Sequence, residues 1–289
     1  LPFFLFKFGN YVTKLTNSAL NEREINPIFV KKTTQLKVYF LGTGTSQGIP
    51  IIGIDHEVCK STDFKDKRLR VSVWITWEDH SYVIDCGPDF RQQMLSSNCR
   101  KLDGILFTHE HADHTAGLDD IRPFNFRQGA IPIYAHKRVL INIEKRLDYI
   151  FETVNRYPGA PSVKTIEIEN NKPFLIGNKT AVPVSVWHGD LQVFGFRIDD
   201  FAYLTDVKTI DEAEMAKLKN LKVLVVNALR EQPHDTHFNL EEALDFITLL
   251  KPEKAYLTHI SHMLGFHEEV QKKLPKNVFL AYDNLEITI

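Results

Sequence analysis

His-Glu-His-Ala-Asp-His, residues 109–114, is the stretch on which the reading of this chain turns. It packs four candidate metal ligands, His109, His111, Asp113 and His114, into six residues. A β-prone run, Gly-Ile-Leu-Phe-Thr (104–108), leads straight into it. Imidazoles and a carboxylate gathered just after a buried strand make a rigid platform for cations. Four ligands from so short a segment do not easily surround one ion. They suit two adjacent ions, each completed by residues from elsewhere.

Candidates for that completion stand at the ends of other β-prone runs. Ser-Val-Trp-His-Gly-Asp (185–190) carries His188, and Phe-Ala-Tyr-Leu-Thr-Asp (201–206) ends on Asp206. Lys-Ala-Tyr-Leu-Thr-His-Ile-Ser-His (254–262) ends on His259 and His262. Upstream, Ser-Tyr-Val-Ile-Asp-Cys-Gly (81–87) carries Asp85. Taken singly, each would be a capping or core residue. Taken in order, they let several strands of one sheet aim at a common point.

Composition bounds the rest. The chain has 289 residues, 43% apolar and 25% charged, as in an ordinary soluble globular protein. A formal net charge of −2 argues against a broad polyanion-binding surface. Three cysteines, Cys59, Cys86 and Cys99, are too few and too uneven for a disulfide framework, so a reducing cytoplasm is expected. The opening Leu-Pro-Phe-Phe-Leu-Phe-Lys-Phe-Gly is apolar but too short to span a bilayer, and no signal-peptide cleavage pattern follows. Residues 1–35 read as an N-terminal extension and 36–289 as the folded domain.

Strand patterns fall at 37–41, 72–76, 81–85, 131–135, 180–187, 193–198, 201–205, 222–227, 254–258 and 278–282. Helical patterns fall at 89–96, 137–151, 209–218, 239–250 and 266–273, with Asp89 suited to cap the first. The glycine loop Gly42-Thr-Gly-Thr-Ser-Gln-Gly48 lacks a Gly-Lys-[Ser/Thr] ending, so it reads as a close backbone approach rather than a nucleotide loop.

The ordered set resembles the metallo-β-lactamase superfamily of metal-dependent hydrolases over roughly residues 36–289. That resemblance implies an α/β (α+β) fold, a four-layer αββα sandwich with metals at the sheet edge. It implies that His109, His111 and His188 hold one divalent metal. Asp113, His114 and His259 would hold the second, with Asp206 bridging. Asp85 would orient a ligand imidazole through its far ring nitrogen. Zn, Mn or Fe would suit such ligands.

A narrower resemblance lies in Phe-Leu-Gly-Thr-Gly-Thr-Ser-Gln-Gly-Ile-Pro (40–50) and Leu-Thr-His-Ile-Ser-His (257–262). These are similar to the phosphodiesterase branch that includes phosphoribosyl 1,2-cyclic phosphate phosphodiesterases, with RNase Z as its neighbour. The branch implies a catalytic His at the place of His237, expected to titrate near working pH as a general acid. It also implies a structural zinc site. Here only His56, Cys59 and His262 survive as ligands, where four are usual.

The activity expected is hydrolysis of a small or cyclic phosphate ester by a hydroxide bridging two metals, with Asp113 and Asp206 at the centre. An RNase Z-like nuclease is the first alternative, though the Gly-rich tRNA-gripping arm and the basic balance are missing. A non-enzymatic accessory protein of the pyrroloquinoline-quinone type is the second. Arg122, Arg127 and Arg156 lie in loops where an Arg could clamp a phosphate. No membrane span and no extended nucleic-acid surface are expected, and a homodimer is the candidate assembly.

Overall fold

Alternation of side chains decides which face each strand buries. In Val223–Asn227, Val223 and Val225 join one core cluster while Leu224 and Val226 join another. In His80–Ile84, Tyr82 and Ile84 face the first cluster and Val83 faces a third. Strands apolar on both faces must be covered on both faces. That demand produces the layers of the computed structural model, which describes residues 35–152, 154 and 156–289. The expectation for the N-terminal extension therefore lies outside the described residues, apart from its last position.

Strands β1 to β6 are Lys37–Gly42, Ser72–Trp77, His80–Ile84, Gly104–Leu106, Ile131–Ala135 and Val163–Glu167. Strands β7 to β13 are Phe174–Ile176, Lys179–His188, Leu191–Ile198, Phe201–Tyr203, Val223–Asn227, Lys254–Thr258 and Val278–Leu280. The last strand, β14, is Glu286–Thr288. One sheet has the order β14-β1-β2-β3-β4-β5-β6, the other β13-β12-β11-β10-β9-β8-β7. Each is antiparallel on one side and parallel on the other.

Between the sheets lies a core of Val38, Phe40, Ile75, Tyr82 and Ile84 against Phe194, Phe196, Tyr203, Val225 and Tyr256. Helices Phe90–Ser97 and Lys137–Arg146 cover the outer face of the first sheet through Phe90, Met94, Val139 and Ile143. Helices Leu240–Leu250 and His267–Lys273 cover the second through Ala243, Phe246, Ile247 and Val270. The result is the expected αββα sandwich, a metallo-β-lactamase fold. Among the described residues no helix is long and apolar enough to cross a membrane.

Several local expectations need correction. The helix expected at 137–151 breaks at Leu147, which leaves helical dihedrals (φ −130°, ψ 46°) and packs against the outer core. The pattern at 209–218 gives only Glu212–Met215, tightening to a 3₁₀ turn over Ala216–Leu218. Asp89 does not cap its helix by side chain, because its carboxylate is held by the Arg70 backbone N–H (2.8 Å) and guanidinium (3.0 Å). Asn239 does cap the helix at 240–250, in a reciprocal pair with Glu242.

The glycine loop behaves as a close approach. A Cβ on Gly42 would lie 2.0 Å from the Arg70 carbonyl oxygen. Thr45 N–H donates to the Ile260 carbonyl (3.0 Å), and Ile260 N–H donates to Thr43 (2.9 Å). The loop thereby braces the residue after His259.

Candidate metal centre

Three strand-end residues, Asp85, Asp206 and His259, hold φ of 65°, 57° and 54°. Side chains other than glycine rarely adopt this left-handed conformation, although Asp and His tolerate it better than most. Such strain persists only where surrounding structure enforces it, and it clusters at functional sites. After Asp206, Asn227 from the end of β11 enforces it. Its side-chain oxygen accepts from Val207 N–H (2.7 Å), and its amide donates to the Val207 carbonyl (3.1 Å).

The turns deliver side chains from both sheets to one place. His114 Nε2 lies 3.2 Å from Asp113 Oδ2 and 3.3 Å from Asp206 Oδ2. His259 Nε2 lies 3.3 Å from Asp206 Oδ1 and 3.8 Å from Asp113 Oδ2. His109 Nε2 and His111 Nδ1 face each other at 2.9 Å. The His188 ring stands 5.4 Å from that of His111 and 6.1 Å from that of His109. Three sets have their ligand atoms within 4.8 Å of one another: His109, His114 and Asp206; Asp113, His114 and His259; and His188, Asp206 and His237. Only the second is a grouping expected from the sequence. His111 belongs to none of the three, although it touches His109.

The hydrogen bonds set which nitrogens point inward. Asp85, fully buried, accepts from Thr108 N–H and from Thr108 Oγ1, both at 2.9 Å. Its Oδ2 meets His114 Nδ1 at 2.7 Å, so His114 turns Nε2 toward Asp113 and Asp206. His188 Nδ1 donates to the Thr236 carbonyl at 2.8 Å, leaving Nε2 as its free atom. Gly87 makes the tight fit possible. A Cβ there would lie 2.0 Å from the Asp113 carbonyl oxygen.

Electrostatics at the centre are unbalanced. Burial pushes His109 well below the usual imidazole range, and burial followed by His188 lowers His111. Both rings are therefore neutral and carry lone pairs. Burial alone would raise the Asp113 and Asp206 carboxyls, but the imidazoles of His114 and His259 outweigh it and hold both ionised. Burial opposes protonation of His114, yet Asp113, Asp85 and Asp206 together raise it. Among the described residues the ion-pair partners of these three carboxylates are histidines only. Buried charge is tolerated when paired or bound to metal. His114 Nε2, His237 Nδ1 and both ring nitrogens of His259 are buried with no hydrogen-bond partner. Orphaned imidazole nitrogens facing anionic oxygens fit divalent cations.

His237 lies within this group. It is buried, with Nδ1 3.5 Å from Asp206 Oδ1 and its ring 4.4 Å from that of His188. Its expected titration near working pH needs correction, because burial lowers it to about 3. The ring is neutral at pH 7. His234 stands beside it at 5.1 Å between ring centroids. No sequence pattern marked it.

The candidate structural zinc ligands fare differently. The rings of His56 and His262 meet edge-on at 4.8 Å. Cys59 instead packs with Ile49 and Val58 in a small apolar cluster. His56 Nδ1 is engaged by Val58 N–H at 3.3 Å. Among the described residues, His56, Cys59 and His262 do not form a three-ligand set within 4.8 Å. The candidate phosphate clamps are also spoken for. Arg122 donates to Asp119 and Tyr157, Arg127 to the Pro123 carbonyl, and Arg156 to the Ile150 and Ala160 carbonyls.

Residues 80–260 match the family model described as the Beta-lactamase superfamily domain, and the chain belongs to that family. It has the metallo-β-lactamase fold, with His/Asp clusters able to bind metal. It is similar to a crystal structure described as a new diphosphatase from the PhnP family. The identity is 37% and the TM-score 0.83, covering 88% of this chain and 97% of that one. It is also similar to a protein named octanoyltransferase from Porphyromonas gingivalis, 39% identical over 256 residues, 88% of this chain and 52% of that protein. A ribonuclease Z from Bacillus subtilis is 30% identical over 191 residues, 64% of this chain and 55% of the relative. The chain thus spans about half the length of these two curated relatives.

Proposed function

We propose that this chain is a dinuclear metal-dependent phosphodiesterase acting on a small or cyclic phosphate ester or a related diphosphate linkage. The observation that carries the reading is the set of orphaned imidazole nitrogens on His114 and His259 facing the buried carboxylates of Asp113 and Asp206. His109, His111 and His188 would hold one cation. Asp113, His114 and His259 would hold the other, with Asp206 between them. Zn, Mn or Fe would suit these donors. Such cations, when bound, lower the pKa of a coordinated water and neutralise phosphoryl oxygens.

The chain's own residues do the remaining work. Asp85 fixes the tautomer of His114 by accepting from Nδ1, which keeps Nε2 free for ligation. The Thr236 carbonyl does the same for His188. His237, neutral and beside Asp206, donates a hydrogen bond to the oxygen on which charge builds as the ester bond breaks. The PhnP-family diphosphatase supports phosphorus as the reacting centre. The net charge of −2 favours a small substrate over tRNA. The three free, buried cysteines fit a reducing cytoplasm.

Two other activities follow from the relatives. Ribonuclease Z similarity favours pre-tRNA cleavage, and the octanoyltransferase similarity favours chemistry on an octanoyl group. One panel separates them: a cyclic ribose phosphate, a nucleoside diphosphate ester, unmodified pre-tRNA and an octanoyl thioester, each with Zn²⁺ or Mn²⁺ added back after chelation. The first two should turn over, and His237→Ala should lower kcat by about 10²- to 10³-fold while retaining metal. Turnover of pre-tRNA or the thioester alone would replace this reading. No turnover of any substrate by metal-loaded protein would favour a non-enzymatic accessory role.

A further inference from the structure

Arg138 lies on helix Lys137–Arg146, on the outer side of the first sheet, and no motif marks it. Its side chain nevertheless reaches two segments that belong to different sheets. Nε lies at ion-pair distance from Glu110 Oε1 (2.8 Å) without a hydrogen bond, and Nη2 donates to Glu110 Oε2 at 3.1 Å. The same Nη2 donates to the Gln192 carbonyl at 2.5 Å. Glu110 sits between His109 and His111. Gln192 stands at the start of β9, where the hairpin pairs Trp187 with Gln192 and His188 with Leu191.

One guanidinium therefore ties the His109–His111 segment to the turn that carries His188. Those are the three ligands of a single cation in the proposed centre. The other set, Asp113, His114 and His259, is held by different means: Asp85 against His114, and the glycine loop against Ile260. A planar fork with several donors in fixed directions suits such bridging, and a lysine cannot reproduce it. A second arginine braces the same segment on one side only. Arg146 donates to the Glu110 carbonyl (3.0 Å) and to Thr115 Oγ1 (2.6 Å). Thr115 Oγ1 in turn donates to the His111 carbonyl at 2.9 Å.

We propose that Arg138 is a positioning residue for one metal site, fixing the distance between the His109–His111 pair and His188. The inference rests on the dinuclear reading above. It predicts an effect confined to one of two sites, which a merely structural role would not give.

The test is equilibrium dialysis of apoprotein against Co²⁺, with metal analysis and the cobalt absorption spectrum as readouts, on wild type, Arg138→Met, Arg138→Lys and Glu110→Gln. Wild type should take up two ions. Arg138→Met should weaken one site by about 10- to 100-fold, the range typical of partners that orient ligands. The other site should be unchanged. Arg138→Lys should not restore the lost site. Glu110→Gln, which keeps the shape and removes the charge, should show the same one-site loss at smaller size. Two sites of wild-type affinity in Arg138→Met, or equal loss at both, would overturn the proposal while leaving the metal centre standing. A wild type that binds no Co²⁺ would sink the dinuclear reading and this inference with it.

Discussion

Asp85 Oδ2 stands 2.7 Å from His114 Nδ1, and both side chains are wholly buried. The carboxylate is itself pinned by two bonds from Thr108, the residue before His109. It thus links the end of β3 to the His-rich segment and sets which nitrogen His114 offers. Asp85→Asn should lower metal affinity by about 10- to 100-fold with the fold intact. Competitive metal titration against a chelating dye checks this, and unaltered affinity would remove Asp85 from the centre.

Metal removal should destabilise the protein. Asp113 and Asp206 would then be left with histidines as their ion-pair partners, in a buried site. A ligand at a thousand times its Kd adds about 4 kcal/mol of stability. Thermal melts with and without EDTA should differ by several degrees and converge again on metal add-back. Coincident melts would mean that no resident cation stabilises the fold.

Acid should remove a stabilising contribution made by His267. Its Nδ1 accepts from the Arg68 guanidinium at 3.2 Å, and burial followed by Arg68 lowers it to about 4. A depressed imidazole contributes stability that is present above its unfolded pKa near 6.5 and is lost as pH falls through 4. The loss is on the order of 3 kcal/mol. Asp283, raised to about 6 by burial, has the opposite sign: its contribution is present below about 3.8 and lost as pH rises through 6. Denaturant melts between pH 4 and 7 should show a smaller acid loss for His267→Gln than for wild type. Parallel pH curves would refute the assignment.

Gly87→Ala should be severe. Its Cβ would lie 2.0 Å from the Asp113 carbonyl oxygen, a backbone atom that cannot swing away. Overpacking of this kind costs about 1–3 kcal/mol or more. It should also displace Asp113, so metal affinity and melting temperature should fall together. A variant with wild-type values in both would show that the 85–87 and 113 segments are free to separate.

The strand cores and the ligand order were legible in the chain because both are local. Alternation at Val223–Asn227 and the apolar runs ending on Asp206 and His259 are read residue by residue. The short edge strands Val163–Glu167, Phe174–Ile176 and Glu286–Thr288 left little signal, since each buries few side chains. The break at Leu147 was hidden for another reason: a leucine favours helix, and only its docking in the outer core overrides that preference.

Residue order along the chain shows which side chains can bind cations and that they follow strand ends. Tertiary structure alone decided their environment. Burial, not residue type, makes His237 neutral and leaves His114 and His259 with orphaned nitrogens. Packing drew Cys59 into an apolar cluster and Arg138 across to Gln192. Identity is written along the chain, whereas desolvation and partnership depend on segments far apart in sequence meeting in space.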